Sequence, residues 1–137
     1  NQRRIRVNVK DSLENTFLAV GHAYRAKRNG EVVSYAKNHF ESLLNVTEAG
    51  AQYRRAGSAA LDLAYVAAGR LDGYFELGLK PWDIAAGELI VKEAGGTVVD
   101  ARGGSDSMDN GQVLACSMKM LKPLMKAVVP AWGDAAK

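Results

Sequence analysis

Asp83 is the residue in this 137-residue chain best placed by type and position to do chemistry. It follows Pro81-Trp82 and precedes Ile84-Ala85-Ala86-Gly87. Proline suits a helix entry, so Asp83 is predicted in the first turn of a helix that stops at Gly95-Gly96. There the positive end of the helix dipole favours the ionised carboxylate, and an ionised oxygen ligand suits a hard cation such as Mg²⁺. The small residues after it leave room for a backbone or a ligand. The same position also suits an acid that only caps its helix. Upstream, Glu76 interrupts the aromatic and apolar run Tyr74-Phe75-Glu76-Leu77 with a carboxylate. Gly57-Ser58-Ala59 opens another helix, offering free backbone N–H groups and a hydroxyl, although capping alone also accounts for it.

Other polar residues read as structural. His22 and His39 each lack a second His, Cys or acid at metal spacing. Asp62 and Asp72 flank a helix built for packing and read as surface or cap groups. Glu88 and Glu93 read as polar-face residues of the central helix, with Lys92 near enough to pair. Asp100, Asp106 and Asp109 fall at strand and loop ends, and Gly103-Gly104 lacks the strand–helix context of a phosphate loop. The basic clusters Arg3-Arg4-Arg6 and Arg25 to Arg28 carry no interleaved aromatics and read as solvated faces, not a nucleic-acid site. Cys116, the one cysteine, excludes an intramolecular disulfide, reads as a buried core residue and fits a reducing cytoplasm.

The elements that must position these residues follow from periodicity. Hydrophobic residues make up 47% and charged residues 24% at a net charge of +3, which describes one globular domain. No apolar stretch is long enough to span a bilayer and no signal-peptide pattern is present. Strands are predicted at 4–10, 14–22, 52–55, 74–77, 97–100 and 112–117, with loops at 24–30 and 102–111. A helix over 32–45 should bury Val33, Ala36, Phe40, Leu43 and Leu44, and an alanine-rich helix should cover 59–68. The central helix should present Trp82, Ala85, Ala86, Leu89 and Ile90 as its apolar face. A closing helix over 118–129 should turn Met120, Leu121, Leu124, Met125 and Val128 inward, be interrupted near Pro123 and end at Pro130, with 131–137 frayed. Strands alternating with helices imply α/β layers.

The run RRAGSAALDLAYVAAGRLDGYFELGLKPWD, residues 54–83, resembles the inositol monophosphatase family. Trp82-Asp83-Ile84-Ala85-Ala86-Gly87 with Glu93-Ala94-Gly95-Gly96 is similar to that family's second signature, most of all in its bacterial SuhB-type members. The likeness runs without a gap over 54–96. It implies an α/β layered sandwich of the inositol monophosphatase/fructose bisphosphatase type, with residues 1–137 as the C-terminal half. This half would give the smaller mixed sheet and its flanking helices, the N-terminal metal-binding half being absent. By the resemblance, Asp83 matches a metal ligand beside the substrate hydroxyl next to the scissile ester. Glu76 matches a carboxylate that binds a ring hydroxyl, and Gly57, Ser58 and Ala59 match a pocket-lining turn. Lys80 falls at a variable position and is given a peripheral electrostatic role.

The activity implied is Mg²⁺-dependent, Li⁺-sensitive hydrolysis of a phosphate monoester, inositol 1-phosphate to inositol and phosphate, by a cytoplasmic parent protein that is a homodimer. The family's Asp-Pro-x-Asp-Gly-Thr signature and its upstream Glu-Glu element are absent. One carboxylate cannot hold two or three Mg²⁺ ions, so no catalytic residue beyond the metal ligand is expected here and the isolated chain should be inactive. The resemblance also implies an alternative: SuhB-type proteins act in ribosomal RNA transcription antitermination with Nus factors and RNA polymerase. A further alternative is a phosphatase for a sugar bisphosphate or a nucleotide 3′-phosphate. Glu76 is the reason to favour a small polyol monophosphate. No membrane partner is expected.

Overall fold

The computed structural model describes residues 3–21, 25–28 and 30–136. Side-chain alternation along three strands sets its two-sided core. In β1 (Phe17–Val20), Leu18 and Val20 face one side and Ala19 the other. In β5 (Gly73–Leu77), Phe75 and Leu77 join the first side and Tyr74 the second; in β7 (Gln112–Cys116), Leu114 and Cys116 oppose Val113 and Ala115. This is the period-2 consequence of the pleat in a sheet covered on both faces.

β4 (Gln52–Arg54) and β6 (Thr97–Val99) complete a five-stranded sheet of order β4-β1-β5-β7-β6. β1 runs parallel to β4 and β5, whereas β7 is antiparallel to β5 and β6, so the sheet is mixed. The helices α1 (Ala36–Glu48) and α5 (Met118–Trp132) pack together on one face, with Leu43, Val46, Met120, Leu124, Val128 and Trp132 in that core. The helices α2 (Ala59–Ala67) and α3 (Pro81–Glu93) pack together on the other, through Leu63, Val66, Ala67, Ile84 and Val91. Gly87 lets them meet, since a Cβ there would sit 2.5 Å from Leu63 Cβ. The mixed α/β sheet with flanking helices agrees with the expected fold class.

Several expected elements differ. Residues 4–10 alternate but join no sheet: Val7 alone of the apolar set is buried, its N–H bonds Ala94 O at 3.2 Å, and Ile5 and Val9 are exposed. Lys10 N–H finds the Ser117 hydroxyl at 3.3 Å, so the segment is held by a helix end and a side chain instead of a strand. The loop expected at 24–30 holds β2 (Arg25–Arg28), paired antiparallel with β3 (Glu31–Ser34). An Asn-Gly dipeptide is a hairpin signal as much as a loop signal. His22, Tyr24 and Asn29 lie outside the described residues.

β3 takes Val32 and Val33, which delays α1 to Ala36 and turns its buried side to His39, Ser42, Leu43 and Val46; Phe40 and Leu44 are exposed. Asn38 donates to the carbonyls of Ala131 (2.9 Å) and Trp132 (3.1 Å), and Asn45 to that of Ala127 (2.8 Å). The two Asn38 bonds serve carbonyls that the end of α5 leaves without helical partners. α5 runs through both Pro123 and Pro130 to the buried Trp132. Each proline removes one helical hydrogen bond, but burial of Val128, Ala131 and Trp132 outweighs that loss. Ala131 and Trp132 therefore belong to the core, and a 3₁₀ turn, Gly133–Ala136, follows.

The central helix also reverses expectation. α3 buries Ile84, Gly87, Glu88 and Val91, while Trp82, Ala85, Ala86, Leu89 and Ile90 look outward. Glu88 is thus a buried residue, paired by Lys92, and not a polar-face one. Asp72 is buried too, accepting from Phe17 N–H at 2.8 Å and from Asn8 at 3.1 Å. In place of a plain loop, 102–111 contains the short helix α4 (Ser107–Asn110). Asp100 organises this segment, accepting from the N–H groups of Arg102 (2.9 Å) and Gly104 (2.8 Å) and from Asn110 (3.1 Å).

Candidate functional site

The parallel strands β4, β1 and β5 end on the same edge, where Arg55, Gly21 and Glu76 follow one another across the sheet. The N-termini of α2 and α3 arrive at that edge from the covering layer. Between them lies a cavity of about 310 Å³ lined by Gly21, Arg55, Glu76 and Leu79 and by the helix starts Gly57 to Ala60, Asp62 and Asp83. Pockets at the carboxyl ends of parallel strands are where α/β sheets take ligands. Here the residues come from three separate stretches of chain, 21, 55–62 and 76–83.

Ser58 precedes α2 with an extended backbone, and its Oγ accepts the Leu61 N–H at 3.4 Å. At the start of α3, Pro81 occupies the first turn and Asp83 Oδ2 accepts the Lys80 N–H at 3.0 Å. Asp83 therefore caps its helix and lines the cavity at once. No hydrogen bond from a described residue engages its Oδ1. Lys80 is exposed, and only its backbone takes part.

Glu76 is held from two sides. The Tyr74 hydroxyl, two residues away on the same strand face, donates to its Oε2. Gly21 leaves the space the carboxylate fills, since a Cβ there would come within 2.0 Å of Oε2. Burial raises the Glu76 carboxyl above its ordinary range, and the Asp62 and Asp83 charges add to that; the Tyr74 hydrogen bond and Arg55 oppose it. Burial, with the Glu76 charge next, drives the Tyr74 hydroxyl well above its usual range.

Asp62 joins this group although the sequence reading set it aside as a surface or cap residue. It is 2% exposed, in the first turn of α2, and burial pushes its carboxyl from 3.8 to about 6. The signal that could have found it is an acid inside AALDLAYVA, a helix with too few polar neighbours to keep it solvated. Gly21 and Arg55 were missed as well, since nothing in their local sequence indicates the cavity.

All five residues singled out from sequence, Glu76, Asp83, Gly57, Ser58 and Ala59, line this one cavity. Three carboxylates and one guanidinium, framed by two helix N-termini, suit a ligand that offers hydroxyl donors at one end and an anion–cation pair at the other. Among the described residues no three His, Cys, Asp or Glu side chains form a group that could hold a metal. Asp83 fits the part of one oxygen ligand to a hard cation, not of a whole cage.

The profile described as "Inositol monophosphatase family" matches residues 1–132. The chain belongs to the inositol monophosphatase family. It is 43% identical to the Nus factor SuhB of Escherichia coli K12 over all 137 residues, covering 49% of that protein. It is 44% identical to the Nus factor SuhB of Vibrio cholerae over 132 residues, covering 93% of this chain and 46% of that one. The chain thus spans about half the length of the curated relatives it matches, and corresponds to their C-terminal half. Among solved structures, the extragenic suppressor protein SuhB of Bartonella henselae superposes with a TM-score of 0.83 at 39% identity, covering 93% of this chain and 46% of that one. The inositol monophosphatase of Anabaena gives 0.80 at 35% identity, covering 95% and 51%. No helix among the described residues is long and apolar enough to cross a membrane.

Proposed function

We propose that this chain is the substrate-recognising half of a Mg²⁺-dependent phosphate monoester hydrolase whose substrate is a polyol monophosphate such as inositol 1-phosphate. The observation that carries this reading is the convergence of Asp83, Glu76 and the Ser58 turn on one cavity, in a chain of this family. A bound Mg²⁺ would neutralise phosphate charge, activate a water and steady the leaving alkoxide. Asp83 Oδ1 would be one of its ligands, held in place because Oδ2 is fixed on the Lys80 N–H. Glu76, oriented by Tyr74, would accept from a hydroxyl of the leaving alcohol. The N–H groups and hydroxyl at the start of α2 would bind further ring hydroxyls.

The remaining metal ligands and the water-activating group would come from polypeptide outside this sequence, which makes the isolated chain inactive. Asp83→Asn in the longer protein carrying both halves should lower kcat/KM for inositol 1-phosphate by about a hundredfold or more. Activity within a few-fold of wild type would overturn the metal-ligand role. Clear turnover by the isolated chain with Mg²⁺ would overturn its incompleteness.

A second reading rests on the name Nus factor SuhB carried by relatives that match along the whole chain. It assigns a binding role with Nus factors and RNA polymerase, independent of hydrolysis. A pull-down of those factors that survives Asp83→Asn supports it, and loss of both properties together argues for a shared site.

A further inference from the structure

We propose that Asp62 is a second hydroxyl acceptor in this cavity, which selects, together with Glu76, an uncharged alcohol bearing several hydroxyls. The proposal rests on the phosphatase reading and specifies which alcohol the site takes. Asp62 is 2% exposed, yet no hydrogen bond or ion pair from a described residue reaches its carboxylate, and it lines the cavity. The Tyr74 hydroxyl, the donor on the neighbouring strand, is already directed to Glu76. Its carboxylate opens on the cavity, so its donor there is water or a ligand, and a ligand hydroxyl that replaces the water keeps that hydrogen bond.

The chemistry of the occupant follows from the surrounding charges. Asp62 shares the cavity lining with Glu76, Asp83 and Arg55, and the charges of Asp62 and Asp83 both act on Glu76. A second phosphate on the alcohol would meet three carboxylates, which repel it. An ammonium would be drawn to those carboxylates, and it is the phosphatase reading, in which the group beside them is the leaving alcohol of a phosphate ester, that selects a neutral hydroxyl instead. A metal ion lacks the third ligand among the described residues. A neutral hydroxyl, donating to Asp62 while its neighbour donates to Glu76, satisfies both acids without bringing new charge.

The test uses the longer protein carrying both halves, with Asp62→Leu, Asp62→Ser and Asp62→Asn. Two substrates are compared: inositol 1-phosphate and p-nitrophenyl phosphate, whose alcohol has no further hydroxyl. Leu and Ser should raise KM for inositol 1-phosphate about tenfold, with kcat within about threefold and both constants for p-nitrophenyl phosphate within about twofold. Asn, whose amide oxygen still accepts, should restore KM to within about threefold of wild type. If KM for the two esters moves together, or neither moves, the proposal is overturned and the phosphatase reading stands. If Asn, the closest isostere, does not fold, Asp62 has a structural role and the proposal is overturned. If the wild type hydrolyses neither ester, the phosphatase reading fails and takes this proposal with it.

Discussion

The Glu76 carboxylate occupies the space that a side chain at position 21 would need, and this sets site and stability apart at a single residue. A Cβ on Gly21 would press on the end of a flexible side chain, not on backbone. Gly21→Ala should therefore change the urea midpoint by less than about 1 kcal/mol of stability while displacing Glu76 and raising KM for a polyol phosphate severalfold. A large stability loss with unchanged KM would show that the carboxylate has no room to move. Asp62 gives the pH counterpart. Its carboxyl titrates at about 6 when folded against 3.8 when not, so the folded chain holds this proton more tightly. The resulting stabilisation is full below 3.8 and is lost as pH rises through about 6. Asp62→Asn removes that loss, so relative to wild type it should gain about 1–2 kcal/mol between pH 4 and pH 7, the full shift being reduced by water in the open cavity. Urea midpoints across that range decide it; a flat difference would mean a solvated carboxylate. Asp83, Glu76 and Ser58 were singled out through the family resemblance, because a helix mouth or a broken strand pattern alone suits a plain cap or a surface acid equally well. Asp62 was not, because burial of an acid depends on what a helix is packed against, and a helix's own residues do not report that.

α2 and α3 show the same limit one scale up. The period of α3 fits two apolar stripes, Ile84–Gly87–Val91 and Trp82–Leu89–Ile90, and spacing alone cannot say which one meets the sheet. Contact at Gly87 decides it, because only a residue without a side chain lets Leu63 approach so closely. Sequence also hid β2, since an Asn-Gly turn is visible whereas the pairing of Arg25–Arg28 with Glu31–Ser34 is a tertiary fact. Gly87→Ala sets two effects against each other. Alanine favours a helix interior over glycine by about 1 kcal/mol, whereas a methyl 2.5 Å from both Leu63 Cβ and Cδ1 overpacks the contact, at about 1–3 kcal/mol. Leu63 Cβ is fixed to the α2 backbone and cannot rotate away, so overpacking should win. The denaturation midpoint should fall with the slope unchanged; a rise would mean that the two helices can separate without loss.

For the whole molecule, the layers run α1–α5, sheet, α2–α3, and the outer side of the last layer is apolar where an end layer should be polar. Leu61 is 55% exposed, Trp82 78% and Leu89 62%, with Tyr65 and Ile90 each at 38%. Large apolar side chains exposed together on two packed helices suit a face that something covers. The matched relatives continue for about as much chain again, and the fold expected from the resemblance places a further layer beyond these helices. Covering this face with the preceding half would also bring new side chains to the cavity beside Asp83, where the proposed hydrolase reading calls for further metal ligands. Trp82 reports on this directly. Of the two tryptophans, Trp132 is 1% exposed and Trp82 is the outward one, so Trp132→Phe leaves a single emitter on the face in question. In the chain alone its emission should lie at the long wavelength of a solvated indole and be readily quenched by acrylamide. In the longer protein it should shift to the blue and resist quenching. The same spectrum and quenching in both would leave the face uncovered by that half and would separate the missing ligands from this route of assembly.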